Sequence, residues 1–380
     1  MHRSLYGYQV RAALALAVEN PHVAVTFLPL ACSGSTIDLG FFNPLRAREC
    51  PPTGPCAGTT IPQVTRLQEA LALARRRDPE RKLDLALLTI GANDIWFAGL
   101  VADVIVEAAT ERALFEKGGM IMGVPEAQAI LDKAMPADFA KVRAALKPAI
   151  GGNLARVVFV TYPNPALAGP GQVCGGGRAG FDVHPAFNAD PERLRKVADF
   201  VSSRFLPRMK ALATCEAGGA CRDPATERMT FVDAHQAEFA EHGFCARAEN
   251  DPVFDRECFS AKGESFESNP ASAATDPLIC NRRPSDFRPY ASRARWVRTA
   301  NDSYFTAMTF PEGLSPTLQP SDLHDATWGA TSAVYGGAIH PTAEGHAAIA
   351  DAALPAMRGL LSMPAISAVR AEPLPPAVQQ

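Results

Sequence analysis

The feature that most constrains this chain is a short apolar run at residues 85–90 that stops at a polar turn. The run reads Leu-Ala-Leu-Leu-Thr-Ile, and the turn contains Gly91, Asn93 and Asp94. A short continuous apolar run bounded by such a turn predicts a β-strand that is buried on both faces. Open α/β sheets bind their ligands at the carboxyl ends of their strands. We therefore expect Gly91 and Asn93 to stand at the ligand-binding edge of a parallel sheet.

Similar apolar runs alternate with helix-like segments along the rest of the chain. Predicted strands lie at residues 23–32, 83–90, 156–161 and 229–232, and predicted helices lie at residues 5–19, 61–77, 100–150, 193–212 and 342–361. Glycines and prolines interrupt the 100–150 stretch, and Pro341 is expected in the first turn of the last helix. The alternation predicts an α/β domain over residues 1–361, with a parallel sheet between two layers of helices.

Two stretches depart from this pattern. Residues 240–335 are rich in Pro, Ser, Asp and Arg, and they predict an irregular, Cys-rich excursion within the domain that lines or covers the active face. Residues 362–380 contain four prolines. We predict that this second stretch is a disordered tail.

The overall charge and the length of the apolar runs exclude two classes of partner. The net charge is −3 and no basic patch is interleaved with aromatic residues, so we expect no nucleic-acid partner. Apolar runs reach only about 10 residues, whereas a membrane-spanning helix needs about 20, so we expect a soluble chain without stable membrane insertion. We also expect a monomer.

Nine cysteines, mostly in loops, predict disulfides and hence an oxidising compartment. Zinc is the rival interpretation, but the chain has no CxxC pair and no HxxxH partner at ligand spacing, so no metal or cofactor is expected. The short spacings suggest the pairs Cys50–Cys56, Cys215–Cys221 and Cys245–Cys258, with Cys174 and Cys280 also in loops and Cys32 a buried thiol. A secreted or periplasmic protein is expected, yet no signal peptide is visible, which suggests that the natural N-terminus is missing.

Three segments carry a resemblance to a known family. They are Ala31-Cys32-Ser33-Gly34, Gly91-Ala92-Asn93-Asp94, and His340-Pro341 followed by Gly345-His346. In this order and at these separations the chain resembles the SGNH (GDSL-type) hydrolases over roughly residues 2–360. The cysteine-bearing loops and Ile61-Pro62-Gln63 make it most similar to the secreted lipase and esterase branch. The resemblance implies a three-layer flavodoxin-like fold that hydrolyses carboxylic esters, with a small-molecule or lipid ester as substrate.

The resemblance also implies roles for three residues. The backbone N–H of Gly34 and the side chain of Asn93 would be two oxyanion donors, and His340 would be the general base. Each residue also has a purely structural interpretation. Gly34 would then permit a tight turn, Asn93 and Asp94 would cap a helix from Ile95 onward, and His340 would only precede a helix start.

The chain departs from the family at the nucleophile. The family's first block, GDSL, carries the catalytic Ser at the end of the first strand, and no GDS occurs in this chain. The resemblance therefore implies that the first strand, central in the sheet between the strands ending at Gly34 and Gly91, is missing. Loss of its ladder hydrogen bonds predicts a poorly folded isolated chain. Ser265, in Gly-Glu-Ser-Phe, and Ser33 or Ser35 are weaker alternatives for the nucleophile.

A second departure concerns the residue that orients the base. The family usually places an Asp three residues before the His, and Gly337 stands there in this chain. A backbone carbonyl near Tyr335–Gly336 could accept the Nδ1 proton instead, or Asp322 or Asp325 could fold back. A Ser–His dyad is therefore expected in the full-length protein. The alternative function is a non-catalytic carbohydrate- or lipid-binding member of the same fold.

Overall fold

The computed structural model describes residues 7–20, 22–46, 58–181, 187–216, 220–247, 294–303 and 337–362. Its strands are β1 (Ala86–Leu88), β2 (Val157–Val160), β3 (Leu167–Gly169), β4 (Gln172–Val173) and β5 (Thr230–Val232). Its helices are α1 (Tyr8–Glu19), α2 (Gln63–Arg75), α3 (Phe97–Ile105), α4 (Ala109–Lys117), α5 (Val124–Lys133), α6 (Met135–Leu146), α7 (Pro191–Phe200), α8 (Leu206–Thr214), α9 (Pro224–Glu227), α10 (His235–Phe239) and α11 (Ala343–Leu360). A π-helical turn over Val201–Phe205 joins α7 to α8.

The core of the fold is a three-stranded parallel sheet in the order β1-β2-β5. Leu88 lies opposite Phe159, and Val160 lies opposite Val232. All four β2 residues have no measurable exposure, as expected for a strand covered by helices on both faces. Mixed helices and strands around a small parallel sheet confirm the α/β class, and three of the four predicted strands are present. β3 and β4 form a separate antiparallel pair.

The fourth predicted strand, at residues 23–32, is not formed. This segment follows α1 and leads to Gly34, but it pairs with no strand among the described residues. Its apolar side chains are unusually exposed, with Val25 at 38% and Leu28 at 40%. An apolar run specifies a preference for burial, but a strand also needs a neighbouring backbone to complete its hydrogen bonds. Nothing in the described part supplies that neighbour.

The helices mostly begin and end at the predicted signals. The 100–150 stretch is divided into α3 to α6, with Gly118 after α4 and Pro125 and Pro136 in the first turns of α5 and α6. The last helix differs slightly from its prediction. Thr342 is its N-cap, accepting a hydrogen bond from Gly345 N at 3.2 Å, so Pro341 precedes the cap rather than occupying the first turn.

Two disulfides join described residues, Cys215–Cys221 and Cys174–Cys245. The first confirms a predicted pair. The second shows that the predicted Cys245–Cys258 pair is wrong, because the loop after α10 packs against the β3–β4 pair, where Phe244 N donates to Pro165 O at 2.8 Å. Cys32 is a half-buried thiol that donates to Leu30 O. The remaining four cysteines lie outside the described residues (Cys50, Cys56, Cys258 and Cys280).

Much of the predicted excursion and almost all of the predicted tail also lie outside the described residues. Within the excursion, residues 240–247 and 294–303 are described. Residues 294–303 return to the body of the domain, where Val297 pairs antiparallel with Pro341 and Trp296 O accepts from Thr342 N at 2.8 Å. Across the described helices, none is long and apolar enough to cross a membrane.

Candidate active site

The three residues predicted for the site line one cavity. Gly34, Asn93 and His340 all contribute to the wall of a cavity of about 2420 Å³ beside β1. They arrive from three separate places in the chain. Gly34 follows the unpaired segment 23–32, Asn93 follows β1, and His340 precedes α11. The structure therefore places residues that are up to about 300 positions apart in sequence on the wall of the same cavity.

The turn after β1 is connected directly to the loop that carries Gly34. Asn93 Nδ2 donates to Ser35 O at 2.9 Å, and Asp94 Oδ1 accepts from Ile37 N at 2.8 Å. Gly34 and Gly91 both have positive φ, 73° and 121°, which a residue with a side chain would adopt only with strain. These bonds hold the two predicted oxyanion donors on neighbouring loops. An amide nitrogen carries two hydrogens, so the bond to Ser35 leaves Asn93 a second one to donate.

The side chains of Asn93 and Asp94 do not cap the next helix, contrary to the structural interpretation of these two residues. The next helix, α3, begins at Phe97 with Trp96 as its N-cap, and no side chain accepts its first N–H groups. Instead both side chains bond the 35–37 loop. Trp96 itself has a left-handed backbone, φ 60°, and lines the cavity with 36% of its surface exposed. It is a cavity residue that sequence reasoning missed.

Asp94 is a second residue that sequence reasoning did not single out. Its Oδ2 atom is buried and has no hydrogen-bond partner among the described residues. Burial raises the pKa of this carboxyl to about 6, and the hydrogen bond from Ile37 N opposes the rise only in part. An orphan carboxylate oxygen is costly to bury when charged. Asp94 therefore favours its protonated form at mildly acidic pH.

His340 is oriented by a backbone carbonyl. Its Nδ1 lies 2.9 Å from Ala338 O, so the neutral ring places its proton on Nδ1 and leaves Nε2 as the acceptor. The prediction of a carbonyl in this role is supported, although the carbonyl is that of Ala338 rather than one near Tyr335–Gly336. Asp322 and Asp325, the alternative orienting groups, lie outside the described residues.

The backbone around His340 is held in an uncommon conformation. Ile339 has φ 60°, which is a strained value for a β-branched residue. Arg298 fixes it from the neighbouring segment, since Ile339 N donates to Arg298 O at 2.9 Å and Arg298 N donates to His340 O at 3.0 Å. His340 is exposed at the wall of the cavity, and the rest of that wall encloses it. This enclosure lowers its pKa, and the positive charge of Arg298 lowers it further. A neutral imidazole is the form that a general base requires.

His346 has a packing role. Its Nδ1 accepts from Tyr8 N at 3.3 Å, and its ring stacks on Tyr8. Burial lowers the pKa of His346 to about 4. Tyr8 continues the network, because its hydroxyl lies 2.5 Å from Thr89 Oγ1, which in turn donates to Val160 O at 2.8 Å. This buried chain of hydrogen bonds connects α1 and α11 to the carboxyl ends of β1 and β2.

The alternative serine nucleophiles are not engaged with a histidine. Ser33 lines the cavity, while Ser35 Oγ accepts from Gln63 Nε2 at 3.2 Å. Neither hydroxyl is hydrogen-bonded to an imidazole in the described part of the chain. Ser265 lies outside the described residues. Nor do three His, Cys, Asp or Glu side chains converge as a metal site within the described ranges.

Comparisons with protein-family models, with curated proteins and with solved structures found no match to this chain.

Proposed function

We propose that this chain provides the oxyanion-binding and general-base groups of a carboxylic-ester hydrolase of the SGNH type. One observation carries the proposal: Gly34, Asn93 and His340 line a single cavity beside β1. The largely apolar wall suits an ester with an apolar acyl group. Two disulfides between described residues support a secreted or periplasmic location as part of the proposal.

The proposed chemistry is acyl transfer through a covalent intermediate. A serine supplied by a segment outside the present sequence attacks the ester carbonyl and gives its proton to His340 Nε2. The Gly34 N–H and the second Asn93 amide hydrogen stabilise the negative oxygen, each by about 3–4 kcal/mol when the geometry is favourable. His340 then protonates the leaving alcohol. In the second half it activates water, which releases the acid and restores the serine.

The proposed base works as a dyad. A carboxylate partner would orient the ring and also stabilise the imidazolium that forms. The Ala338 carbonyl, 2.9 Å from Nδ1, orients the ring but carries no full charge. Enclosure by protein and the charge of Arg298 lower the pKa of His340, and they outweigh the Ala338 carbonyl, which raises it, so the imidazole stays uncharged until it takes the serine proton.

A binding protein is the second candidate function. The observation that favours it is that neither Ser33 nor Ser35, the two serines at the cavity loop, is hydrogen-bonded to His340. A chain of this kind would use the same apolar cavity to hold a lipid or a carbohydrate without cleaving it.

Hydrolysis of p-nitrophenyl butyrate distinguishes the two functions. The assay compares the present chain with a form extended through the in-frame codons upstream of Met1. We expect the extended form to be active and its His340→Ala variant to be inactive, with His346→Gln as the matched histidine control. Labelling by a serine-directed phosphonate should fall on the added segment. An inactive, unlabelled extended form would favour the binding protein instead.

A further inference from the structure

The outer edge of β1 is open. β2 pairs with β1 on one side, and no strand in the described residues pairs with it on the other. Residues 83–89 line the large cavity along this edge, and all three β1 residues are only half-buried, whereas β2 is fully buried. β5, the other outer strand, contributes no described residue to the cavity wall. Among the strands that the structure describes, the open edge and the cavity therefore coincide only at β1.

The facing wall of the cavity is the segment 23–32, which joins no sheet in the described part of the chain. From Ala24 to Ala31 no backbone group bonds another described backbone group, although this run is apolar. Both walls thus present to the space between them N–H and C=O groups that no described backbone group bonds. Buried backbone groups are nearly always paired. Only another polypeptide backbone, running between the walls, can pair with both rows at once.

The two walls run in the same direction. α1 begins where Tyr8 meets Thr89, at the carboxyl end of β1, and its last residue, Glu19, bonds Arg358 near the far end of α11. The chain then returns through residues 23–32 to Ser35, which bonds Asn93 after β1. The segment and β1 therefore both run towards Asn93. A strand inserted between them would be parallel to both.

The remaining wall is apolar, and one mouth is basic. α1 and α2 contribute side chains that include Val10, Leu16, Leu67 and Leu71. Central parallel strands, covered on both faces, are continuous apolar runs.

At the end where β1 begins, the lining contains one acidic residue, Asp84, against several basic ones (Arg76, Arg77, Arg81, Lys82 and Arg156). An acidic group ahead of an apolar run complements this mouth.

We propose that the space between β1 and residues 23–32, here called the strand cleft, binds an extended apolar peptide segment led by an acidic residue. The segment completes a continuous parallel sheet by hydrogen bonding both walls. The cavity, at about 2420 Å³, is larger than the roughly 300–1,000 Å³ of pockets for small ligands. This inference rests on the proposed function and deepens it. The inserted segment would end beside Asn93 and His340, where a serine following it reaches the oxyanion donors.

A synthetic peptide tests the strand cleft without any ester. The probe is fluorescein-labelled Glu-Val-Val-Phe-Val-Thr-amide, which copies residues 157–161 behind a glutamate. We expect saturable binding by fluorescence anisotropy and slower hydrogen exchange at residues 24–31 and 85–89. A peptide N-methylated at alternate amides keeps the side chains but loses half of the N–H donors, and it should bind at least tenfold more weakly. An arginine-led peptide should bind more weakly than the probe. The difference between the two affinities should be larger at low salt than at high salt.

A proline in the wall provides the matched variant. Val25→Pro removes an N–H that bonds no described backbone group, so the unfolding midpoint should stay unchanged while peptide affinity falls at least tenfold. Leu28→Pro repeats the test at a second position. Leu114→Ser, which changes an exposed apolar residue on α4, should leave binding unchanged.

Several results would overturn the proposal. Equal binding of the N-methylated peptide, or protection from exchange elsewhere, would show that backbone pairing is not used. A dimer whose β1 is protected without peptide would identify a second copy as the occupant. Peptide binding that appears only after residues 363–380 are deleted would identify that segment instead. The two proposals fail separately, because peptide binding by the present chain together with an inactive extended form would reject the proposed function and keep the strand cleft.

Discussion

The sheet is built differently at its centre and at its β1 edge. Around β2, every strand residue is buried and both neighbours are paired in register. Around β1, an equally apolar sequence is half-buried, and the apolar segment across from it is exposed. The candidate site lies at the second region. The difference shows that an apolar sequence favours burial, whereas the presence of neighbouring strands decides whether its residues become buried.

The largest expected effect is the loss of activity when His340, in the region around β1, is replaced. In a form that hydrolyses p-nitrophenyl butyrate, His340→Ala should lower kcat by at least about 10³-fold, or about 4 kcal/mol of barrier, because no other described base takes the serine proton. Urea unfolding should change little, since the side chain faces the cavity. Near-wild-type kcat would refute the site assignment.

Asp322→Asn and Asp325→Asn should each leave kcat within about tenfold, about 1.4 kcal/mol, if the Ala338 carbonyl orients the ring.

Opposed residues on neighbouring strands test the comparison directly. Phe159→Ala in β2 should lower the free energy of unfolding by about 3–5 kcal/mol, because it empties a fully buried site. Its register partner on β1, Leu88, is half-buried. Leu88→Ala should cost less, about 1–2 kcal/mol. Urea titrations followed by circular dichroism measure both. Equal losses would mean that the β1 edge is packed as tightly as the centre.

The two disulfides should differ in their contributions. Cys174–Cys245 closes a separation of 71 residues and Cys215–Cys221 a separation of 6. Loop-closure entropy then predicts losses of about 4 and about 2 kcal/mol when each pair is replaced by serines. Thermal unfolding of the two double variants gives the order. Peptide mapping without reduction should recover both linked pairs, and recovery of Cys245 joined to Cys258 would contradict the structure.

The smallest expected effect is a pH dependence at Asp94. The folded-state pKa, about 6, lies above the ordinary value of 3.8, so the folded state binds the proton more tightly. The tighter binding of this proton stabilises the folded state below pH 4, and the stabilisation is lost as pH rises through 6. Asp94→Asn keeps the acceptor for Ile37 N but cannot ionise. The wild type should therefore lose about 1–2 kcal/mol relative to Asp94→Asn between pH 4 and pH 7. A constant difference would show that Asp94 is not perturbed.

Local patterns were sufficient to predict the parts of the fold that depend on local chemistry. The apolar runs predicted β1, β2 and β5, and the prolines and Gly118 predicted the boundaries of α4, α5 and α6. The Gly91–Asp94 turn and His340 were found because their residue types and surroundings are unusual in sequence. Trp96 was missed as a cavity residue, and the buried Oδ2 atom of Asp94 was missed, because they depend on backbone conformation and on the loss of solvent.

The failures involve partners that are distant in sequence. Residues 23–32 have strand-like composition, yet composition does not reveal whether a second backbone lies beside them. Cys245 was assigned to a near neighbour, but packing of the loop after α10 brings it to Cys174. These two outcomes are decided by the tertiary arrangement and not by the local sequence. The carbonyl that orients His340 is a local partner instead, since it belongs to Ala338, two residues away, across the left-handed backbone of Ile339.

The open edge of β1 also affects how the protein behaves in concentrated solution. An unpaired parallel edge beside exposed apolar residues is a template on which other chains can add as strands, the first step of ordered aggregation. Arg81, Lys82 and Asp84 stand directly before β1 and place charges at the entrance to this edge. Such flanking charges act as gatekeepers against self-association. Charge-neutralising changes there would turn the edge that serves the site into a nucleus for fibrils.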